Sequence, residues 1–150
     1  MKKLIYLIFI FFYSLSFSQS RDANYSKFIN KYRINEPRIK KTKNITENII
    51  YLGELNLNNS TFYVITSFKT VKAALTRHGH STVYIYNSNK KMIRNYILGL
   101  PEEIPFNLEN NSLYFNYVND LTKTSEIFIL KIEEEIPLFL CVDPSFQECY

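Results

Sequence analysis

From Ile49 onward, apolar and polar residues alternate with a period of two, in short runs separated by polar clusters. This spacing predicts strands over Ile49–Leu55, Thr61–Phe68, Thr82–Tyr86, Met92–Leu98, Leu113–Val118 and Ile127–Ile132. The breaks between them, at Asn56 to Ser60, Asn87 to Asn89, Pro101 to Pro105, Asn110-Asn111 and Asn119 to Thr124, are rich in turn formers. Parallel strands need crossovers of a dozen or more residues, and most of these links are shorter, so the neighbours are expected to be antiparallel. The expected fold is mainly β: an antiparallel meander or small sandwich of about six strands. Residues 70–77 fit either a short helix capped by Thr70 or an extension of the preceding strand.

The period is different before residue 44. Tyr25, Phe28, Ile29 and Tyr32 fall at i, i+3, i+4 and i+7, which predicts a short N-terminal helix with one apolar face. Pro37 stops a helix beyond Glu36. A helix this short needs a surface to dock on. Upstream, Lys2-Lys3, the apolar run Leu4 to Leu15 and the small residues Ser16 and Ser18 have the layout of a signal peptide cleaved after Ser18. The twelve-residue run would span only about 18 Å as a helix, well short of a bilayer core. The chain therefore divides into a signal peptide (1–18), a basic arm with the short helix (19–43) and a single β-rich domain (44–150). It is expected to be exported, to a periplasm or outside the cell, with no stable membrane span after cleavage.

Export changes how the two cysteines are read. Cys141 and Cys149 flank Asp143-Pro144, and in an oxidising compartment they are expected to form one disulfide. Seven intervening residues do not match a C-x-x-C redox or zinc pair. Charge changes the picture too. The chain has 18 basic and 14 acidic residues, and loss of Lys2 and Lys3 leaves 16 against 14. Residues 20–43 hold eight basic and two acidic side chains, whereas residues 44–150 hold eight and twelve. The run Arg38 to Lys43 is expected to be a solvated leader, the alternative being contact with an anionic surface or nucleic acid, and no nucleic-acid motif accompanies it.

Residues 82–132 resemble one four-stranded blade of a β-propeller, through Val83 to Tyr86, the turn Asn87 to Lys90, Ile93 to Leu98, Leu113 to Phe115 and Ile127 to Leu130. A closed propeller repeats its blade at least four times, and the chain holds no second copy, so the resemblance implies no propeller function.

Three glycines leave no phosphate loop and no nucleophile elbow. Both histidines lie in Arg77-His78-Gly79-His80-Ser81. If that stretch is extended, His78 and His80 share a face and are candidate zinc ligands awaiting a third; the alternative is a turn at Gly79 with local hydrogen bonds. Ser81 follows His80 and points to the other face, which disfavours proton transfer between them. The acidic pairs Glu102-Glu103 and Glu133 to Glu135 sit beside prolines and read as solvated loops.

Tyrosine and phenylalanine number 12 each, with no tryptophan. Alternation places Tyr84 and Tyr86 on one face of their strand and Tyr114 on the outer face of another. Together they are a candidate binding face, since each tyrosine offers an apolar ring with a polar tip. The alternative is that these rings pack beneath the N-terminal helix. The chain thus reads as a small exported binding or interaction protein, inhibitor-like, immunity-like or glycan-binding, with no evident catalytic site. Its candidate binding residues are Tyr84, Tyr86, Tyr114, His78 and His80, and its expected partner is an envelope or secreted protein or a glycan. A metal-dependent hydrolase using His78 and His80 with zinc is one alternative, and a structural cell-envelope protein is another.

Overall fold

The computed structural model describes residues 25–73, 76–99, 101–118, 122–142 and 149; the signal-peptide segment lies outside the described residues. Eight strands follow in order: β1 (Arg38–Lys41), β2 (Ile45–Leu57), β3 (Ser60–Ala73), β4 (Thr76–Tyr86), β5 (Met92–Leu98), β6 (Asn107–Glu109), β7 (Ser112–Val118) and β8 (Ser125–Lys131). They form two antiparallel sheets, β1-β2-β3-β4-β5 and β6-β7-β8, each a meander of sequence neighbours. All six expected strands are present, and the fold is the mainly β, antiparallel one that the alternation predicts. The ambiguous stretch around residue 70 is strand: β3 runs to Ala73 and β4 begins at Thr76. The propeller-blade resemblance does not survive, because β4 and β5 lie in one sheet and β7 and β8 in the other.

Paired asparagines make the tight turns that glycine usually makes. Asn58-Asn59 closes β2 on β3 and Asn110-Asn111 closes β6 on β7, all four with positive φ. Positive φ at both central residues marks the hairpin turn that matches strand twist, and asparagine tolerates it best after glycine. The same residues fasten the two sheets together. The Asn111 side chain accepts from the Asn56 backbone N–H (2.9 Å) and donates to its carbonyl (2.5 Å), while Asn58 donates to the Glu134 carbonyl (2.8 Å).

The larger sheet is buried on both sides. Leu55, Leu57, Val64, Val83, Ile85, Tyr96 and Leu98 face the small sheet, where Leu113 and Phe115 meet them. Ile49, Tyr51, Ile65 and Tyr86 face away, under Tyr25, Phe28 and Ile29. A bulge in β2 between Tyr51 and Gly53 lets one strand serve both layers. Gly53 takes φ +129°, a value that side-chain-bearing residues rarely adopt.

The expected N-terminal helix is one 3₁₀ turn, Ser26–Phe28. It ends at Phe28, and Asn30 at φ +62° follows, so the segment continues through further turns as a strap held by its apolar residues. The basic stretch expected as a solvated leader contains β1, which pairs residue for residue with β2 from Arg38↔Ile49 to Lys41↔Thr46.

Candidate functional site

The tyrosines proposed from sequence divide between two environments. Tyr86 is only 2% exposed and its hydroxyl accepts a hydrogen bond from the Tyr25 backbone N–H at 3.1 Å. Tyr84 packs its ring 4.9 Å from that of Tyr25. Both lie under the strap, as cross-strand neighbours of Tyr63 and Ile65. Tyr114 is on β7 in the other sheet, opposite Ile129, with its ring 6.3 Å from Phe106 in an edge-on contact. The structure therefore brings Tyr84 and Tyr86 together but keeps Tyr114 apart from them.

Electrostatics hold the strap in place. The Tyr25 hydroxyl donates to the Glu47 carboxylate, Ser67 donates to the same oxygen at 2.9 Å, and the Lys40 ammonium lies 3.8 Å from its partner oxygen. Burial, with the Glu47 hydrogen bond next, pushes the Tyr25 phenol far above its usual range. Arg38 stacks 4.6 Å over Tyr32, and Lys40 sits 5.1 Å over Tyr25. Burial also raises Tyr51 and Tyr96 to about 12; the nearby Glu54 charge adds to the rise at Tyr51, and Arg94 opposes it at Tyr96.

His78 and His80 lie within β4, opposite Val71 and Lys69, and both are exposed. Alternation puts them on the same face, as an extended segment requires. Gly79 forms no turn: it sits opposite Thr70 in mid-strand, and a Cβ there would come within 2.9 Å of the Phe68 ring. A glycine in a strand that admits a neighbouring ring is a packing device. Lys69 across from His80 places a cation where a metal would need an electron-pair donor. Among the described residues, no group of three or more His, Cys, Asp or Glu side chains is placed to hold a metal ion.

Cys141 and Cys149 form the disulfide expected from their spacing. It returns residue 149 to a stretch anchored by the buried side chains Leu140 and Val142. No helix among the described residues is long and apolar enough to cross a membrane. The Pro101–Pro105 loop opens with a 3₁₀ turn, Pro101–Glu103, and the Glu103 carboxylate accepts from the Gly99 N–H at 2.6 Å.

Sequence reasoning placed Tyr114 on the outer face of the small sheet but missed the aliphatic side chains that share it. Its rows are Tyr114 opposite Ile129, Asn116 opposite Ile127, and Val118 opposite Ser125. Ile127 is 61% exposed, and Val118 and Ile129 are each 51% exposed. Phe106 extends the patch beyond Tyr114, and β8 is the edge strand beside it. The signal was available: in Ile127-Phe128-Ile129-Leu130 both faces of one strand are apolar, and the inner face needs only Phe128 and Leu130. Comparison of the chain with protein-family models, curated proteins and solved structures finds no match.

Proposed function

We propose that this is a small exported binding protein that docks another envelope or secreted protein on the outer face of its three-stranded sheet. The reading rests on one observation, the exposed cluster of Val118, Ile127 and Ile129 beside Tyr114 and Phe106. Contiguous apolar surface costs solubility, and where a small domain retains it, it marks an interaction site. Branched aliphatic side chains favour a protein over a sugar, because sugar platforms depend on flat rings with polar tips. The edge strand β8 adds backbone groups at the border of the patch, the arrangement used when a partner strand extends a sheet. Export follows from the leader layout and accords with the Cys141–Cys149 disulfide.

The test uses the chain from Gln19 as bait on the host's envelope and secreted fractions, with Ile127→Asp and Ile93→Asp as paired variants. Ile93 is also exposed but lies on β5, outside the patch. One protein captured near one-to-one, lost with Ile127→Asp and kept with Ile93→Asp, supports the reading. Capture indifferent to Ile127→Asp, or a folded bait that captures nothing, overturns it. A soluble dimer of the chain alone that Ile127→Asp dissolves would make the patch a self-association face and overturn a heterologous partner.

A further inference from the structure

The strand register gathers positive charge from three separate parts of the sequence onto one end of the large sheet. Lys40 lies opposite Glu47, Glu47 opposite Lys69, and Lys69 opposite His80, a single row across four strands. Three residues nearer the tip, Lys72 lies opposite Arg77. Residues 39–47 and 69–80 together hold six lysines and arginines against one acid, Glu47. That acid is already engaged by Tyr25, Ser67 and Lys40, so it leaves the tip strongly cationic.

At this tip lies a concave site of about 320 Å³ lined by residues 42–46 with Thr70 and Lys72. The residues lining it carry the ammoniums of Lys43 and Lys72, the Asn44 amide and three threonine hydroxyls, of which that of Thr42 donates to the Ile45 carbonyl, and no carboxylate residue lines it. Backbone hydrogen bonds fix the walls: the Lys72 N–H donates to the Asn44 carbonyl and the Thr42 N–H to the Ile45 carbonyl, both at 2.8 Å. Ammonium and hydroxyl donors without a competing carboxylate suit a phosphate group.

We infer that this tip binds the headgroup phosphate of an anionic lipid at a bilayer surface. The concavity is open, so it suits a phosphate presented from a surface and approached by several cations at once. Lys41 and the 62%-exposed Ile39 flank it on β1, the mixture of basic and apolar groups that an interfacial contact uses. Charge also orients the molecule. Residues 100–150 hold ten acidic and two basic residues, so an anionic surface attracts the tip and repels the C-terminal third.

The experiment is co-sedimentation of the chain from Gln19 with phosphatidylcholine vesicles, with and without phosphatidylglycerol, at low and high salt. Binding is expected only with phosphatidylglycerol and is expected to weaken with salt. Lys43→Ala/Lys72→Ala should reduce partitioning about tenfold or more, given the contribution of each basic residue near a charged bilayer. Lys90→Ala/Lys91→Ala removes the same charge in the β4–β5 turn and should leave binding within about twofold. Equal loss in the two variants, or no preference for phosphatidylglycerol, overturns the inference. Inorganic phosphate is added at constant ionic strength to separate the two sources of the anion. Failure to displace the chain supports the headgroup, and full displacement assigns the site to free phosphate and overturns it.

Discussion

The two sheets use similar residues for opposite purposes. The five-stranded sheet turns Tyr84 and Tyr86 outward from the sandwich and covers them with Tyr25, Phe28 and Ile29. The three-stranded sheet also turns a tyrosine outward, Tyr114, but adds Ile127, Ile129 and Val118, and among the described residues nothing covers these aliphatic side chains. An outward-facing apolar row is therefore core in one sheet and surface in the other. What separates them is the strap, which is held in part by one half-buried carboxylate accepting from Tyr25 and Ser67.

The largest expected effect comes from breaking the covered face. Tyr86→Ala removes a buried ring and the acceptor of the Tyr25 N–H, and should cost about 3–5 kcal/mol in urea unfolding. Tyr114→Ala, on the open face, should cost less than about 1 kcal/mol. Comparable losses would erase the contrast between the sheets. Next is Cys141→Ser/Cys149→Ser: constraint of so short a loop is worth about 2–3 kcal/mol, read as a lower denaturant midpoint. Gly79→Ala should cost about 1 kcal/mol, because the new Cβ meets the Phe68 ring and that ring must shift.

Alkaline pH sharpens the comparison without mutation. Tyr51 and Tyr96 are raised to about 12 in the fold, so their neutral forms are favoured there over the unfolded chain. That contribution is complete below pH 10, the unfolded value. It is lost as pH rises from about 10 towards 12, because the unfolded phenols ionise first. Denaturant midpoints should hold level to about pH 9 and then fall. A midpoint that stays level through pH 11 would contradict the burial of these rings. The smallest effect on stability is expected from Ile127→Asp, within about 0.5 kcal/mol, since it alters only exposed surface.

Much of the fold was legible because alternation and polar turns are local signals. The six strands from Ile49 to Ile132 follow from them, as does the same-face placement of Tyr84 with Tyr86. β1 was not legible, because Arg-Ile-Lys-Lys reads as a charge run until β2 is there to pair with it. β6 is three residues long, too short to carry a period. The exchange of faces at Gly53 is also hidden, since a bulge moves Leu55 and Leu57 to the sandwich side without breaking the apolar run. Which tyrosines are covered depends on where the strap lies, and that is a tertiary fact. The meeting of Lys40, Lys69 and His80 depends on register, which no local window contains.

The open face of the small sheet is proposed as the working surface. Hydrogen–deuterium exchange of the chain from Gln19, alone and with its captured partner, tests it most directly. Added protection is expected only in Ser112–Val118 and Ser125–Lys131, with the Tyr25-to-Tyr32 strap unchanged. Protection that falls on the strap or on β4 and leaves β7 and β8 exchanging as before would contradict it.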